Sequence, residues 1–432
     1  MLDIRYIREN AQAVQQNAHN KGYDVNVDEV LRLDKSKRQL QQQADELRNR
    51  RNDISSRMKG GKPSTELIAE GKEVKEQLAN VEASLKEAET NFTDLLKKIP
   101  NMALADVPVG SSEDENVVAK TVGEPAAFSF EPKTHAELAD ARGWLDKERA
   151  AKVAGSRFAY VKGEMVKLQF ALIQMIMDKL SDPAFLDEVI RENNLNVSNK
   201  PFIPVLPPYM LRTELYDAMD RLEPRDDRYK IEGDDLWLQG SAEHVLGSMH
   251  ADEILNEKDL PLRYIGYATS FRREAGTYGK DMEGLFRMHQ FDKLEMESLG
   301  VAEKGLDEHL FMIALQEKIM QLLEIPYHVL MKCTFDIGKP NARGVDIEAW
   351  LPGQNKYRET HTADYMTDYQ ARRLKTRVRR ENGDVELIHT NDATALPLSR
   401  GPIAILENHQ QADDTVRVPV ALRPYLGGRE VL

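Results

Sequence analysis

Two stretches of seven-residue apolar repeat, separated by Gly60-Gly61-Lys62-Pro63, constrain the fold of this chain more than any other feature. Leu33, Leu40, Leu47 and Ile54 recur at every seventh position in the first stretch. Leu67, Val74, Val81, Ala88 and Leu95 do so in the second, where Leu78, Leu85, Phe92 and Ile99 supply another stripe. A stripe of that period is buried only against a partner helix, so the spacing predicts an antiparallel coiled-coil pair over residues 28–99 that folds back at the Gly-Gly turn. With about 30 residues per helix at about 1.5 Å each, the pair forms an arm roughly 45 Å long.

Charge divides unevenly along that arm. Between Leu31 and Lys62, ten basic residues face four acidic ones, a balance of +6; between Pro63 and Ile99, five lysines face eight acids, a balance of -3. The first helix is therefore the candidate nucleic-acid face, with Arg38, Arg48, Arg50, Arg51 and Arg57 placed to meet phosphates. On the residues alone, solvated positions paired with the acidic helix explain these arginines better. The whole chain carries a formal charge of -13, which argues against indiscriminate nucleic-acid binding and leaves room for a local basic patch within a screening length of roughly 8–10 Å. Its 432 residues predict two domains. The single cysteine, Cys333, excludes a disulfide framework and a cysteine-rich zinc site. No apolar run is long enough to cross a bilayer and the first 21 residues are too polar for a signal peptide, which predicts a cytoplasmic protein with no membrane partner.

Past the arm, residues 1–104 are expected to close an N-terminal domain, residues 105–127, rich in Gly, Pro, Ser and acids, to form a linker, and residues 128–432 to fold as a second domain. The apolar pattern from Tyr160 to Leu180 predicts a helix. Strand-like runs follow at 202–206, 236–238, 265–272, 286–297 and 327–330. Strands mixed with helices, without regular alternation or a glycine-rich phosphate loop, predict an antiparallel α+β core. Within it, Arg272, Glu274, Arg287, Phe291 and Glu295 are candidates for one face of a strand pair joined by a loop that carries Gly276, Gly279 and Gly284. Two guanidinium forks suit phosphate oxygens and a phenyl ring suits a base. A solvated charged face accounts for the spacing equally well.

Phe271-Arg272-Arg273-Glu274-Ala275-Gly276 through His289-Gln290-Phe291-Asp292-Lys293 resembles motif 2 of the class II aminoacyl-tRNA synthetases, in the form found in the seryl-tRNA synthetase family of bacterial type. The resemblance continues through residues 346–354, Tyr357-Arg358-Glu359, Tyr369-Gln370-Ala371-Arg372-Arg373 and Arg400 with residues 404–408. The opening residues 1–10 and Phe130-Glu131-Pro132-Lys133 are also similar, so it covers nearly the whole chain. It implies a catalytic domain built on an antiparallel sheet flanked by helices. It also implies ATP-dependent activation of L-serine to seryl-adenylate with release of pyrophosphate, then transfer to the 3′ end of tRNA-Ser, with the selenocysteine tRNA as a second candidate acceptor. The arm would bind the long variable arm and elbow of the tRNA, and the Pro207-Pro208 region, which looks like motif 1, would help form a homodimer.

Residue by residue, the resemblance implies that Arg272 meets the α-phosphate and Arg287 the γ-phosphate end, with Glu274 near adenine, Phe291 beneath it and Arg400 on the opposite side. Arg272 and Arg400 are the catalytic pair. Glu359, with Thr362, would hold Mg²⁺, a hard cation that prefers oxygen ligands. Ser241, Glu243, Arg272, Glu295, Asp392 and Thr394 would bind serine. Three departures from the family pattern fall around that last group. Ser241-Ala242-Glu243 stands for Thr-Ala-Glu; His361-Thr362-Ala363-Asp364-Tyr365 and Asp392 stand for Ser-Ser-Cys-Ser-Asn and an asparagine; and residues 217–222 replace Gly-Thr-Gly-Gln-Leu-Pro. A buried hydroxyl contact is worth ~10⁴-fold in discrimination, so changes here bear on the choice of amino acid. His135, His250, His289 and His361 lack metal-ligand spacing, and no zinc is expected. Two alternatives stand beside this reading: a synthetase-like ligase for another small amino acid, and one that loads a carrier protein.

Overall fold

The computed structural model describes residues 1–59, 63–275 and 284–432; the expected turn at Gly60-Gly61-Lys62 and the loop glycines Gly276 and Gly279 lie outside the described residues. The chain divides into two compact units, Met1–Met102 and Ala103–Leu432.

The first unit is helical: α1 (Ile4–Glu9), α2 (Ala11–Asn20), α3 (Val27–Lys59) and α4 (Thr65–Leu96). At 33 and 32 residues, α3 and α4 each span about 50 Å. They pair antiparallel, with the Lys37 ammonium 4.5 Å from the centre of the Phe92 ring and, further along α3, Arg48 bonded to Glu82 and Arg50 to Glu70. The heptad stripes meet as the spacing predicts. Leu78, Leu85 and the small Ala44 are buried, with Leu40, Leu47 and Val81 packed on them. Ser64 starts α4 by accepting the Leu67 amide at 3.2 Å, which satisfies one of the free N–H groups of the first turn.

At the base of the arm Asp34 is buried and takes both arms of the Arg8 guanidinium at 2.8 Å, a bidentate bond that ties α1 to α3. Arg38 adds a third bond to the same carboxylate at 3.1 Å. Burial alone would raise this carboxyl, but Arg8, then Arg38 and Lys37, hold it below the usual range. Replacing Asp34 with Ala leaves two guanidinium groups without their acceptor and is expected to destabilise the helical unit by about 2–3 kcal/mol. A fall in the urea midpoint of the far-UV circular dichroism transition measures it, and an unchanged midpoint would contradict the assignment.

The second unit is built on eight strands: β1 (Val117–Val122), β2 (Ile203–Val205), β3 (Leu262–Phe271), β4 (Gln290–Gly300), β5 (Tyr327–Met331), β6 (Arg343–Leu351), β7 (Lys356–Thr367) and β8 (His389–Pro397). Their spatial order is β1-β5-β6-β7-β8-β4-β3-β2, and every neighbouring pair is antiparallel except β2 with β3. The expected α+β core is present. The segment 105–127, expected as a linker, instead belongs to this unit, because Val117–Val122 pairs with β5 at the sheet edge. Its glycines, prolines and acids read as loop, whereas the β-branched Val117 and Val118 add to a strand edge that would otherwise be unpaired. The strand expected from Phe286 begins only at Gln290, so Arg287 does not share a strand with Phe291. The helix expected within 160–180 is α5 (Glu164–Leu180), and Tyr160–Val161 pairs instead with Leu145–Asp146.

Side chains alternate across the sheet. Leu294 and Met296 on β4, Val345 and Ile347 on β6, Ala363 on β7, and Ala393 and Ala395 on β8 enter one apolar core. Against them pack α5 and α6 (Gly305–Leu322), through residues such as Leu168, Leu172, Phe311 and Leu315. The opposite face of the same strands carries the charged residues.

Candidate active site

On β4 the residues between the core positions, Phe291, Lys293, Glu295 and Glu297, all point away from the apolar layer, as a period of two requires. They meet residues from β7, β8 and the turn at 241–243 around a cavity of about 720 Å³. Arg272, Glu274, Arg287, Phe291, Glu359, Thr362 and Arg400 line it, as do Glu243, Glu295 and Thr394. Ten of the twelve residues expected to bind ATP or serine are thus brought together. Ser241 and Asp392 are not: both are buried behind the wall, Ser241 in the turn that opens a short helix (Glu243–Leu246) and Asp392 with an oxygen 3.5 Å from Arg221. Sequence places a residue on a strand or turn but does not give its depth.

One end of the cavity holds three anchored guanidinium groups, those of Arg272, Arg287 and Arg400. Arg272 follows β3, donates from Nε to the Gly240 carbonyl at 3.0 Å, and lies 5.4 Å from the centre of the Phe291 ring. Arg287 donates to Glu274 at 2.5 Å; Glu274 reaches it from a left-handed backbone conformation, φ +52°, that a non-glycine residue seldom adopts. Arg400, the first residue of α7 (Arg400–His409), donates to the Glu359 carboxylate at 2.9 Å and to its carbonyl at 3.0 Å. Phe286, to which the sequence reading gave no role, lies under both Arg400 and Arg358, at 4.6 and 3.8 Å. Its signal was only an aromatic beside Arg287.

Glu359 and Thr362 stand three residues apart on one strand and would ordinarily face opposite ways. A β-bulge, where the register with β6 slips between Ile347 and Glu348, turns Glu359 onto the face that carries Thr362 and Asp364. The Thr362 hydroxyl donates to Asp346 on β6, and Lys332 lies 3.6 Å from that carboxylate. Desolvation works to raise Glu359, but Arg400, then Lys332 and Arg272, hold it below the usual range. Asp346 goes the other way: burial, with Glu359 and Asp364 nearby, pushes it up to about 7 despite Lys332.

At the other end, Glu295 forms an ion pair with Lys293 at 2.7 Å and accepts from the Thr394 hydroxyl at 3.2 Å, and Glu243 pairs with Arg221 at 2.9 Å. Oxygens of Glu243, Glu295 and Asp392 lie within 4.8 Å of one another. Among the described residues this is the one cluster with cation-ligating geometry, and none of the four histidines considered belongs to it. Burial raises Glu295 and, together with the neighbouring acids, pushes Glu297 and Asp392 well above the carboxylate range; Glu243 alone among these four is held well below, by Arg221 and then His244 and Lys293. Gly266 on β3, opposite Glu295, allows the short helix so close that an added Cβ would meet Leu246 at 2.8 Å. That close approach carries Glu243 to the cavity. Lys293 and Arg221 were missed as site residues, although Lys293 alternates with Phe291 and Glu295 on β4.

Residues 1–103 match the Seryl-tRNA synthetase N-terminal domain, and residues 228–409 match the tRNA synthetase class II core domain (G, H, P, S and T). The serine--tRNA ligases of Methanocella arvoryzae and Dictyoglomus turgidum are each 40% identical over all of this chain and 100% and 99% of their own length. The chain belongs to the seryl-tRNA synthetase family. The crystal structure of the Pyrococcus horikoshii enzyme complexed with ATP superposes with a TM-score of 0.89 at 38% identity, covering 100% of this chain and 99% of that one. The cytoplasmic enzyme of Naegleria fowleri in complex with AMP gives 0.85 at 28% identity, covering 100% and 98%. The family's relatives here are archaeal, bacterial and eukaryotic.

Asp346 gives a measurable signature. Its carboxyl has a folded value near 7 against 3.8 for an ordinary aspartate, so the folded chain keeps a proton there that the unfolded chain has lost. Stability therefore falls as pH rises through that window. Relative to Asp346→Asn, which cannot ionise, the wild type is expected to lose melting temperature between pH 4.5 and 7.5, by several degrees; parallel pH profiles would refute the shift.

Proposed function

We propose that this protein is a serine--tRNA ligase: it activates L-serine with ATP, releasing pyrophosphate, and passes the seryl group to the 3′ end of tRNA-Ser. The observation that carries this reading is the single cavity in which three arginines stand at one end and a compact set of carboxylates at the other. In the first step a serine carboxylate oxygen attacks the α-phosphorus, the bond to the bridging oxygen of pyrophosphate breaks, and no protein nucleophile is needed. Arg272 is assigned to the α-phosphate, where negative charge builds in the transition state, so its contribution is largest there. Arg287 is assigned to the γ-phosphate end, Glu274 to the adenine edge, Phe291 to the face beneath the base and Arg400 to the opposite side. Anchoring by Glu274, Glu359 and the Gly240 carbonyl supports these roles, because a held guanidinium loses less freedom when a phosphate arrives.

Glu243 and Glu295 are assigned to the ammonium and side chain of serine, with Thr394 beside them; an ionised Glu243 next to further acids is a natural seat for a cation. Ser241 and Asp392 act from behind the wall. Mg²⁺ fits the donor set at Glu359 and Thr362, since carboxylate and hydroxyl oxygens suit a hard cation. When bound with ATP it would neutralise phosphate charge. In the second step a terminal ribose hydroxyl of tRNA attacks the seryl carbonyl and AMP leaves.

The arm is assigned to tRNA. Arg48, Arg50 and Arg57 are paired with carboxylates, Arg38 with Asp34, and Arg51 hydrogen-bonds the neighbouring Asn52. The exposed pairs of Arg48, Arg50 and Arg57 are worth only about 0–1 kcal/mol each, so RNA phosphates compete for them readily. We further assign the bacterial-type form, which the long arm and the single cysteine support against a zinc-bound form. A homodimer is supported by the exposed Ile203, Leu206, Tyr209 and Met210 around Pro207-Pro208, and a cytoplasmic setting by the lack, among the described residues, of a helix long and apolar enough to cross a membrane.

Serine-dependent exchange of pyrophosphate into ATP, run beside threonine, alanine, glycine and cysteine, tests the reading; absence of exchange with serine would overturn it. Arg272→Ala is expected to lower exchange about 10²–10³-fold in kcat. Replacing Arg48, Arg50 and Arg51 together is expected to impair charging of tRNA with a long variable arm while exchange persists, and equal loss of both activities would count against the arm's role. Charging of the selenocysteine tRNA is measured in the same assay.

A further inference from the structure

One guanidinium collects carboxylates from three separate elements beside the cavity. Arg221 follows a helix at Thr213–Ala218. Its Nε lies 2.9 Å from Glu243, and one terminal nitrogen lies 3.5 Å from Asp392 on β8 and 3.7 Å from Asp364 on β7. The same nitrogen donates to the Asn341 side chain at 3.2 Å. The other terminal nitrogen rests against Gly338, where an added Cβ would approach it to 3.2 Å. Arg221 also lines the cavity, with only 15% of its side chain exposed.

We propose that Arg221 is the positioning and specificity-determining residue of the amino-acid end of this cavity, holding Glu243 toward the substrate's ammonium group and closing the wall beside its side chain. The inference rests on the reading of this cavity as the site of amino-acid activation. The argument is one of charge and of position. Glu243, Glu295, Glu297, Asp364 and Asp392 share a desolvated region, and like charges so placed cannot all ionise. A cation bonded to one of them decides which stays charged, and Arg221 makes its shortest contact with Glu243, the one that reaches both the cavity and the carboxylate cluster around Glu295. The positional part is independent. Arg221, Asp364 and Asp392 come from three of the segments in which this chain leaves its family's pattern, at 217–222, 361–365 and 392. Separate drift has no reason to bring the new cation onto the two new acids. Their contact makes these departures one compensated exchange, in which uncharged groups give way to a buried charge network with Arg221 at its centre.

The test is steady-state pyrophosphate exchange by the full chain with Arg221→Lys, Arg221→Met and Gly338→Ala. Lysine keeps the charge but lacks the fork that meets several acceptors at once, so the serine KM is expected to rise about tenfold while the ATP KM stays within about twofold. Methionine is expected to raise the serine KM further and to reduce the preference for serine over threonine and alanine by about tenfold. Alanine at 338 presses on the guanidinium without changing its charge and is expected to raise the serine KM alone, by a smaller factor. If the methionine variant does not fold, the other two decide. Serine KM and amino-acid preference within about twofold of wild type in the lysine and Gly338 variants would overturn the proposal, as would serine and ATP KM values that rise together. Wild-type exchange with serine alongside unaltered variants sinks this inference alone; no wild-type exchange with serine sinks the reading of the site beneath it.

Discussion

Four carboxyl groups, those of Glu295, Glu297, Asp364 and Asp392, lie buried on one side of a sheet whose other side is the apolar core of the unit, with the half-buried Glu243 of the short helix beside them. Charges removed from water in this way are tolerable only when they are paired or protonated. The molecule uses both routes: Arg221 and Lys293 keep Glu243 and Glu295 in ion pairs, while burial drives Glu297 and Asp392 toward the protonated form. Glu297 illustrates the cost, since neither of its oxygens has a hydrogen-bond partner among the described residues.

The same economy of charge governs the arginine end of the cavity, in reverse. Arg272, Arg287 and Arg400 would repel one another if left loose in a cleft, and each is held by an acceptor or a ring: Gly240 and Phe291, Glu274, Glu359 and Phe286. The backbone takes part in this arrangement. The bulge on β7 puts Glu359 on the face of Thr362, and the left-handed Glu274 aims its carboxylate at Arg287. Both are local departures from regular geometry, and both occur where a side chain must be turned toward the cavity.

Much of this was legible beforehand, for identifiable reasons. The arm announced itself because a seven-residue repeat has one economical solution, and Leu40, Leu47, Leu78, Val81 and Leu85 do meet in its core. The strand β4 was recognisable from alternation, though its start was not, because Phe286 to Met288 are apolar or long side chains that resemble a strand while lying in an irregular bend before it. The strand at Val117–Val122 was lost among loop-forming residues, since an edge strand needs only a few β-branched positions and a partner that sequence does not display. Arg221 was hidden for a different reason: its importance lies in acids more than 140 positions away on β7 and β8.

By itself the sequence determined the helical arm and the α+β character of the second unit, because periodicity is a property of neighbours along the chain; the grouping of Arg272, Glu274, Arg287, Phe291, Glu359 and Arg400 came from the resemblance of their motifs to a known family. Only the tertiary structure decided depth and pairing. It buried Ser241 and Asp392 behind the cavity wall, joined Arg8 to Asp34 at the foot of the arm, and gathered Arg221, Asp364 and Asp392 into one network. Burial and ion pairing depend on what the rest of the fold brings alongside a residue, and no spacing along the chain records that.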